Sequence, residues 1–128
     1  MKYVSAFALL VSAIIHLLPL PGVTGSAALG KLYGIEVMDP NMAILLQHRA
    51  LLFGLLAVLM LLAIGLPRFR MTVLAAGLFS AASFVVVAVW VGGYNAAIQR
   101  VVIADVVVSI LLSAGLFAEW WLAQHGTR

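Results

Sequence analysis

Four runs of apolar residues, each ended by proline, glycine or charge, constrain this chain more than any other feature. They cover Tyr3 to Leu18, Met42 to Leu66, Met71 to Val91, and Ala96 to about Leu122. Crossing a bilayer takes about 20 residues of α-helix. Backbone groups in lipid must be satisfied within the segment, so each run is predicted to be a helix. Only 9% of the 128 residues are charged and 66% are hydrophobic, whereas a soluble domain carries about 25% charged residues. The expected fold is therefore all-α: an integral membrane four-helix bundle, with residues 1–128 forming a single four-span transmembrane domain. Pro19-Leu20-Pro21-Gly22, Pro67-Arg68-Phe69-Arg70 and Gly92-Gly93 fall between the runs, where turns belong. Trp120 and Trp121 close the fourth run as an interfacial aromatic pair.

The chain has no cysteine, which excludes disulfides, thiolate metal sites and thiol redox chemistry. Its net charge of +3 comes from basic residues at the ends of apolar runs. They read as topology signals, and nucleic acid is not an expected partner. Gly25-Ser-Ala-Ala-Leu-Gly30-Lys31 spells most of a P-loop, but Leu32 stands where Ser or Thr must hold magnesium, and no strand precedes it. Lys2, a short apolar stretch and the small residues Gly25-Ser26-Ala27 share features of a signal peptide; the run is read here as a retained first span.

Orientation follows from the basic residues. Lys2, Arg68, Arg70 and Arg128 fall on one side of a four-span chain, and only Lys31 falls on the other. The positive-inside rule then predicts both termini in the cytoplasm, N-in and C-in. The first outer loop, Pro19 to Asp39, is the only one with room for structure. Thr24 or Ser26 is expected to cap a short amphipathic helix with Leu29, Leu32 and Tyr33 on one face and Gly34 as its stop. Asp39-Pro40 is the expected N-cap and first turn of the second span. Such a loop is either a lid over the bundle or a plain connector.

Ionisable residues inside membrane spans are costly and usually face the bundle interior. Here they are His16, His48, Arg49, Arg100 and Asp105, with Glu119 near the inner end of the last run. At 1.5 Å per helical residue, His16 and Asp105 lie roughly 21 Å from the inner side, and His48, Arg49 and Arg100 roughly 27–30 Å. Five groups from three spans thus share one outer-leaflet layer, with Tyr94, Asn95 and Gln99 close by, and the inner half holds nothing comparable. Ser5, Ser12 and His16 share one helical face, as do Asp105, Ser109 and Ser113. Ala76, Ser80 and Ala81-Ala82-Ser83 provide small contact surfaces on the third span. The predicted ligand-binding residues are His16, His48, Arg49, Tyr94, Asn95, Arg100 and Asp105, with no metal site. Asp105 with Arg49 or Arg100 also reads as a buried ion pair, and either histidine as a hydrogen-bonded core residue. Arg100 stands near the N-terminal end of its helix, where the dipole disfavours a cation. It calls for an anion: Glu36, Asp39, Asp105, a lipid phosphate or a ligand.

Leu32-Tyr33-Gly34, Asp39-Pro40-Asn41, the run from Leu46 to Gly54, Gly92-Gly93-Tyr94-Asn95 and the run from Arg100 to Asp105 carry a resemblance. Over nearly its whole length the chain resembles a family of small bacterial four-helix membrane proteins in the DoxX-like group. The resemblance implies a bacterial-type cytoplasmic (inner) membrane and, through relatives in respiratory or sulfur-redox complexes, a quinone-like partner. Some members of that family carry a label as phosphopantetheine adenylyltransferases. This chain has neither a soluble α/β pattern nor the nucleotide-binding His-x-Gly-His.

Three classes of function follow from these residues. The first is a binding or accessory protein whose outer-leaflet site holds an amphipathic molecule, lipid- or quinone-like, with Arg49 and Arg100 at its head. The second is a purely structural subunit, in a homo-oligomer or a membrane complex. The third is an intramembrane acid/base enzyme using His16 or His48, with Asp105 as orienter. Transport lacks the membrane-embedded glutamate expected in the first helix of small four-helix drug exporters. Haem between His16 and His48 is disfavoured because their depths differ by roughly 8 Å.

Overall fold

The computed structural model describes residues 1–126; the topology signal expected from Arg128 lies outside the described residues. The chain runs through α1 (Lys2–Leu17), a 3₁₀ turn (Leu20–Thr24), α2 (Ser26–Tyr33), α3 (Pro40–Gly65), a 3₁₀ turn (Pro67–Phe69), α4 (Arg70–Val91) and α5 (Ala96–His125). Four segments are long and apolar enough to cross a membrane: Tyr3–Thr24, Pro40–Gly65, Pro67–Val91 and Ala96–His125. Large apolar side chains face outward along them, such as Phe79 at 76% exposure and Trp90 at 84%. Apolar surface on that scale is sustained by lipid rather than water.

The punctuation acts where the sequence places it. Asp39 caps α3 by accepting a hydrogen bond from the Asn41 backbone N–H, with Pro40 in the first turn. Asn95, expected only as a site residue, caps α5 by accepting from the Ile98 backbone N–H. Gly34 ends α2 in the left-handed conformation, φ 64°, which costs glycine little. The start of α2 differs from expectation. Its N-cap is Gly25, without a side-chain cap, because the Thr24 hydroxyl turns back to donate to the Pro21 carbonyl.

α1 and α5 pack together at the centre, with α3 leaning chiefly on α1 and α4 chiefly on α5. α3 and α4 touch each other much less. The core is built of small and medium residues, Ala8, Leu9, Ala13, Ala57, Met60, Ala63, Leu74, Ala81, Val108 and Leu112, as close helix contact in lipid requires. Gly115 marks a close approach of three helices: a Cβ there would stand 2.9 Å from a Leu74 methyl and 3.3 Å from the Ala8 methyl. Ser5, Ser12 and His16 are buried along α1 as their spacing predicts. On α5 the buried face runs instead through Asp105, Val108, Leu112 and Gly115, leaving Ser109 half-buried and Ser113 exposed. On α4, Gly77 and Ala81 are buried while Ala76 is exposed.

A second, smaller core holds α2 on the end of the bundle away from the termini. Leu29, Tyr33 and Val37 are buried there, with Leu32, Ala43, Leu46, Ile98 and Val101 packed against them. The connector between the first two spans is therefore a packed cap.

Candidate functional site

Beneath this cap lies a cavity of about 310 Å³. α1 supplies Ile15 and His16, and the turn after it Leu18 and Pro19. α2 supplies Lys31, Leu32 and Tyr33; α3 supplies Arg49 and Phe53; α5 supplies Ala97, Arg100, Val101, Ala104 and Asp105. Four predicted site residues, His16, Arg49, Arg100 and Asp105, thus share one cavity, whose remaining wall is mostly apolar.

His16 and Asp105 are its buried polar groups, 3% and 7% exposed. His16 Nδ1 donates to the Ser12 carbonyl at 2.8 Å, one helical turn back, and its ring meets the Phe53 ring nearly edge-on at 5.5 Å. Donation from Nδ1 leaves Nε2 of the neutral ring as an acceptor. Ser12 Oγ, fully buried one turn below, has no partner among the described residues. Asp105 feels the charge of Arg49, but its carboxylate makes no ion pair or hydrogen bond among the described residues.

Arg49 is committed elsewhere. Its guanidinium lies over the rings of Phe53, Phe84 and Tyr33, at 4.6, 4.9 and 5.6 Å from their centroids. It also donates to the Tyr33 hydroxyl at 3.2 Å. This aromatic cage replaces hydration with ring quadrupoles, each worth about 0.5–2 kcal/mol, and it is how a cation is kept at this depth without a direct counter-ion. Arg49 and Phe53 also border a second groove between α3 and α4, lined by Leu52, Leu56, Ser80, Ser83, Phe84 and Val87. It opens where those two helices diverge.

Arg100 and Lys31 are exposed at the cavity rim. Among the described residues Arg100 Nε reaches only its own helix, donating to the Ala96 carbonyl at 3.4 Å. The anions considered for it do not come to it. Asp39 is engaged with Asn41, and Glu36 is exposed and forms no ion pair among the described residues.

The other three predicted residues lie outside the cavity. His48 is exposed, because one residue along a helix turns a side chain by about 100° from Arg49. It therefore does not converge with His16, as a shared haem would require. Tyr94 is 40% exposed in the linker after Gly93. Asn95 is a clamp: besides capping α5, its Nδ2 donates to the Tyr33 and Gly34 carbonyls at 2.8 and 3.1 Å, tying α5 to the cap over the cavity.

The expectation that the terminal end of the bundle holds nothing comparable is corrected by the structure. The salt bridge among the described residues is there, Arg70 to Glu119 at 3.6 Å. Arg70 also donates to the Ala63 and Ile64 carbonyls at 3.1 and 2.5 Å, and Ser5 donates to the same Glu119 oxygen. The internal lock is therefore Arg70–Glu119, and the Arg49–Asp105 pair is an electrostatic neighbourhood without contact. The sequence carried one signal for the lock: a cation a few residues beyond a helix C-terminus, across a tight turn, has orphan carbonyls within reach. Phe53 was legible as the i+4 neighbour of Arg49. Tyr33 and Phe84 join Arg49 only through tertiary packing.

Fold and site together define a small multi-pass helical membrane protein with a capped, partly polar cavity at one end. Comparison of the chain with protein-family models, curated proteins and solved structures finds no match.

Proposed function

We propose that this protein binds an amphipathic small molecule, lipid- or quinone-like, in the cavity beneath the α2 cap, alone or as an accessory subunit of a membrane complex. In this reading both termini face the cytoplasm, the cap lies at the outer leaflet of a bacterial-type inner membrane, and the chain is a DoxX-like protein. The observation that carries the reading is the cavity's composition. An apolar wall is joined to two rim cations whose charges no protein carboxylate neutralises among the described residues. A structural lock would have spent those charges internally, and the lock of this bundle stands at the opposite end. An anionic or carbonyl-bearing head group suits the rim, and its apolar portion suits the wall.

The test is mass spectrometry and absorption spectroscopy of the purified protein before and after incubation with lipid and quinone extracts. A stoichiometric amphiphile is expected, and Arg100→Ala should lose it while keeping the wild-type melting temperature. A protein that carries no amphiphile and takes none up overturns the proposal.

A further inference from the structure

The cavity sorts its polar groups by depth. Apart from Tyr33, whose hydroxyl accepts from Arg49, its buried polar groups are acceptors: the Asp105 carboxylate, 7% exposed with no hydrogen bond or ion pair among the described residues, and His16 Nε2, the unprotonated nitrogen of the neutral ring because Nδ1 donates to the Ser12 carbonyl. Its rim groups, Arg100 and Lys31, are exposed and can only donate. Arg49, on the side wall, is held by three rings and the Tyr33 hydroxyl rather than by Asp105. A buried carboxylate without a contacting partner, offset only at a distance by the charge of Arg49, is costly. A purely anionic ligand would make that worse by bringing a second negative charge toward Asp105.

Resting on the binding reading above, we infer that the ligand's head group is zwitterionic, of the phosphoethanolamine class, with its ammonium directed inward to Asp105 and His16 and its phosphate outward to Arg100 and Lys31. An ammonium offers three donors and a positive charge to two buried acceptors, and a phosphate offers acceptors to two rim cations. Arg100 and Asp105 are five residues apart on one helix, an axial rise of roughly 7.5 Å. A head group whose two charges are separated by a few bonds spans that rise once the arginine side chain reaches toward it. The apolar wall of Ile15, Leu18 and Val101 is left for the start of the acyl portion.

Native mass spectrometry of the full chain in detergent tests this with four lipids of identical chains: phosphatidylethanolamine, its N-acetylated derivative, phosphatidylglycerol and phosphatidic acid. Phosphatidylethanolamine should bind about tenfold or more tighter than the other three, the size of one charge-assisted hydrogen bond. Asp105→Asn should bring the four to within about twofold of one another. The N-acetylated lipid makes the same deletion from the ligand side, so the comparison stands even where the variant fails to fold. Equal binding of the four lipids by the wild-type protein, or an unchanged preference in Asp105→Asn, overturns the inference while leaving the cavity a general lipid site. Binding of none of them overturns the inference together with the lipid form of the cavity reading, and leaves only the quinone-like form to the test with quinone extracts. O-phosphoethanolamine, the free head group, should not displace the lipid. Displacement at equal concentration would assign the site to a soluble metabolite and overturn the membrane source.

Discussion

Arg70→Met removes the cation at the centre of the terminal-end lock while keeping an apolar stem of similar length. In the native bundle this guanidinium donates to two of the last carbonyls of α3, at 3.1 and 2.5 Å, and stands 3.6 Å from Glu119. Hydrogen bonds from a charged donor contribute about 1.5–3 kcal/mol each. Breaking one side of a buried pair costs about 3–5 kcal/mol, because the other charge is stranded. Exposures of 10% and 15% keep solvent from erasing much of this. The expected loss is about 3–5 kcal/mol, most of it from the carbonyl contacts and the stranded Glu119. Glu119→Gln should cost only about 1 kcal/mol, since its contact with Arg70 is long and a glutamine oxygen still accepts from Ser5. Combining the two should cost less than their sum, because the glutamine removes the charge that Arg70→Met strands. Equilibrium unfolding in mixed micelles, followed by helicity as the denaturing detergent fraction rises, measures all three. An Arg70→Met protein within about 1 kcal/mol of wild type, or a Glu119→Gln protein as destabilised as Arg70→Met, would refute the assignment of the lock to this arginine.

Three further outcomes are expected. Asn95→Ala removes the α5 cap and both bonds to the cap segment; it should cost about 2 kcal/mol and speed amide exchange over 26–34, whereas unchanged exchange there would mean the clamp is not what holds the cap. Tyr33→Phe deletes the hydroxyl that accepts from Arg49 but keeps the ring beneath the guanidinium, so a loss of about 1 kcal/mol is expected, and a loss as large as that of Tyr33→Ala would place no weight on the cation–ring contacts. Single cysteines at the exposed positions 26 and 36 should react with an impermeant maleimide added outside intact cells, and those at 69 and 126 should not; the reverse labelling would invert the proposed orientation and move the cavity to the inner leaflet.

Much of this architecture was legible without coordinates because lipid leaves a chain few choices. Long apolar runs must be helices, and Asp39-Pro40 and Gly34 start or end them through bonds made within a few residues. The shared depth of His16, Arg49, Arg100 and Asp105 was legible too, since axial rise depends only on residue count. Rotation about each helix axis and the pairing of helices were not, and those belonged to the tertiary structure. They turned His48 outward beside an inward Arg49, put α1 and α5 together at the centre, and surrounded Arg49 with Tyr33 and Phe84 from two other helices. They also placed the ion pair between Arg70 and Glu119. Charge counts along a sequence cannot separate a pair in contact from a pair at one depth, because attraction in a buried site is decided over a few ångströms and by what else each group can reach. Arg49 reached aromatic rings first, and that left Asp105 open to the cavity.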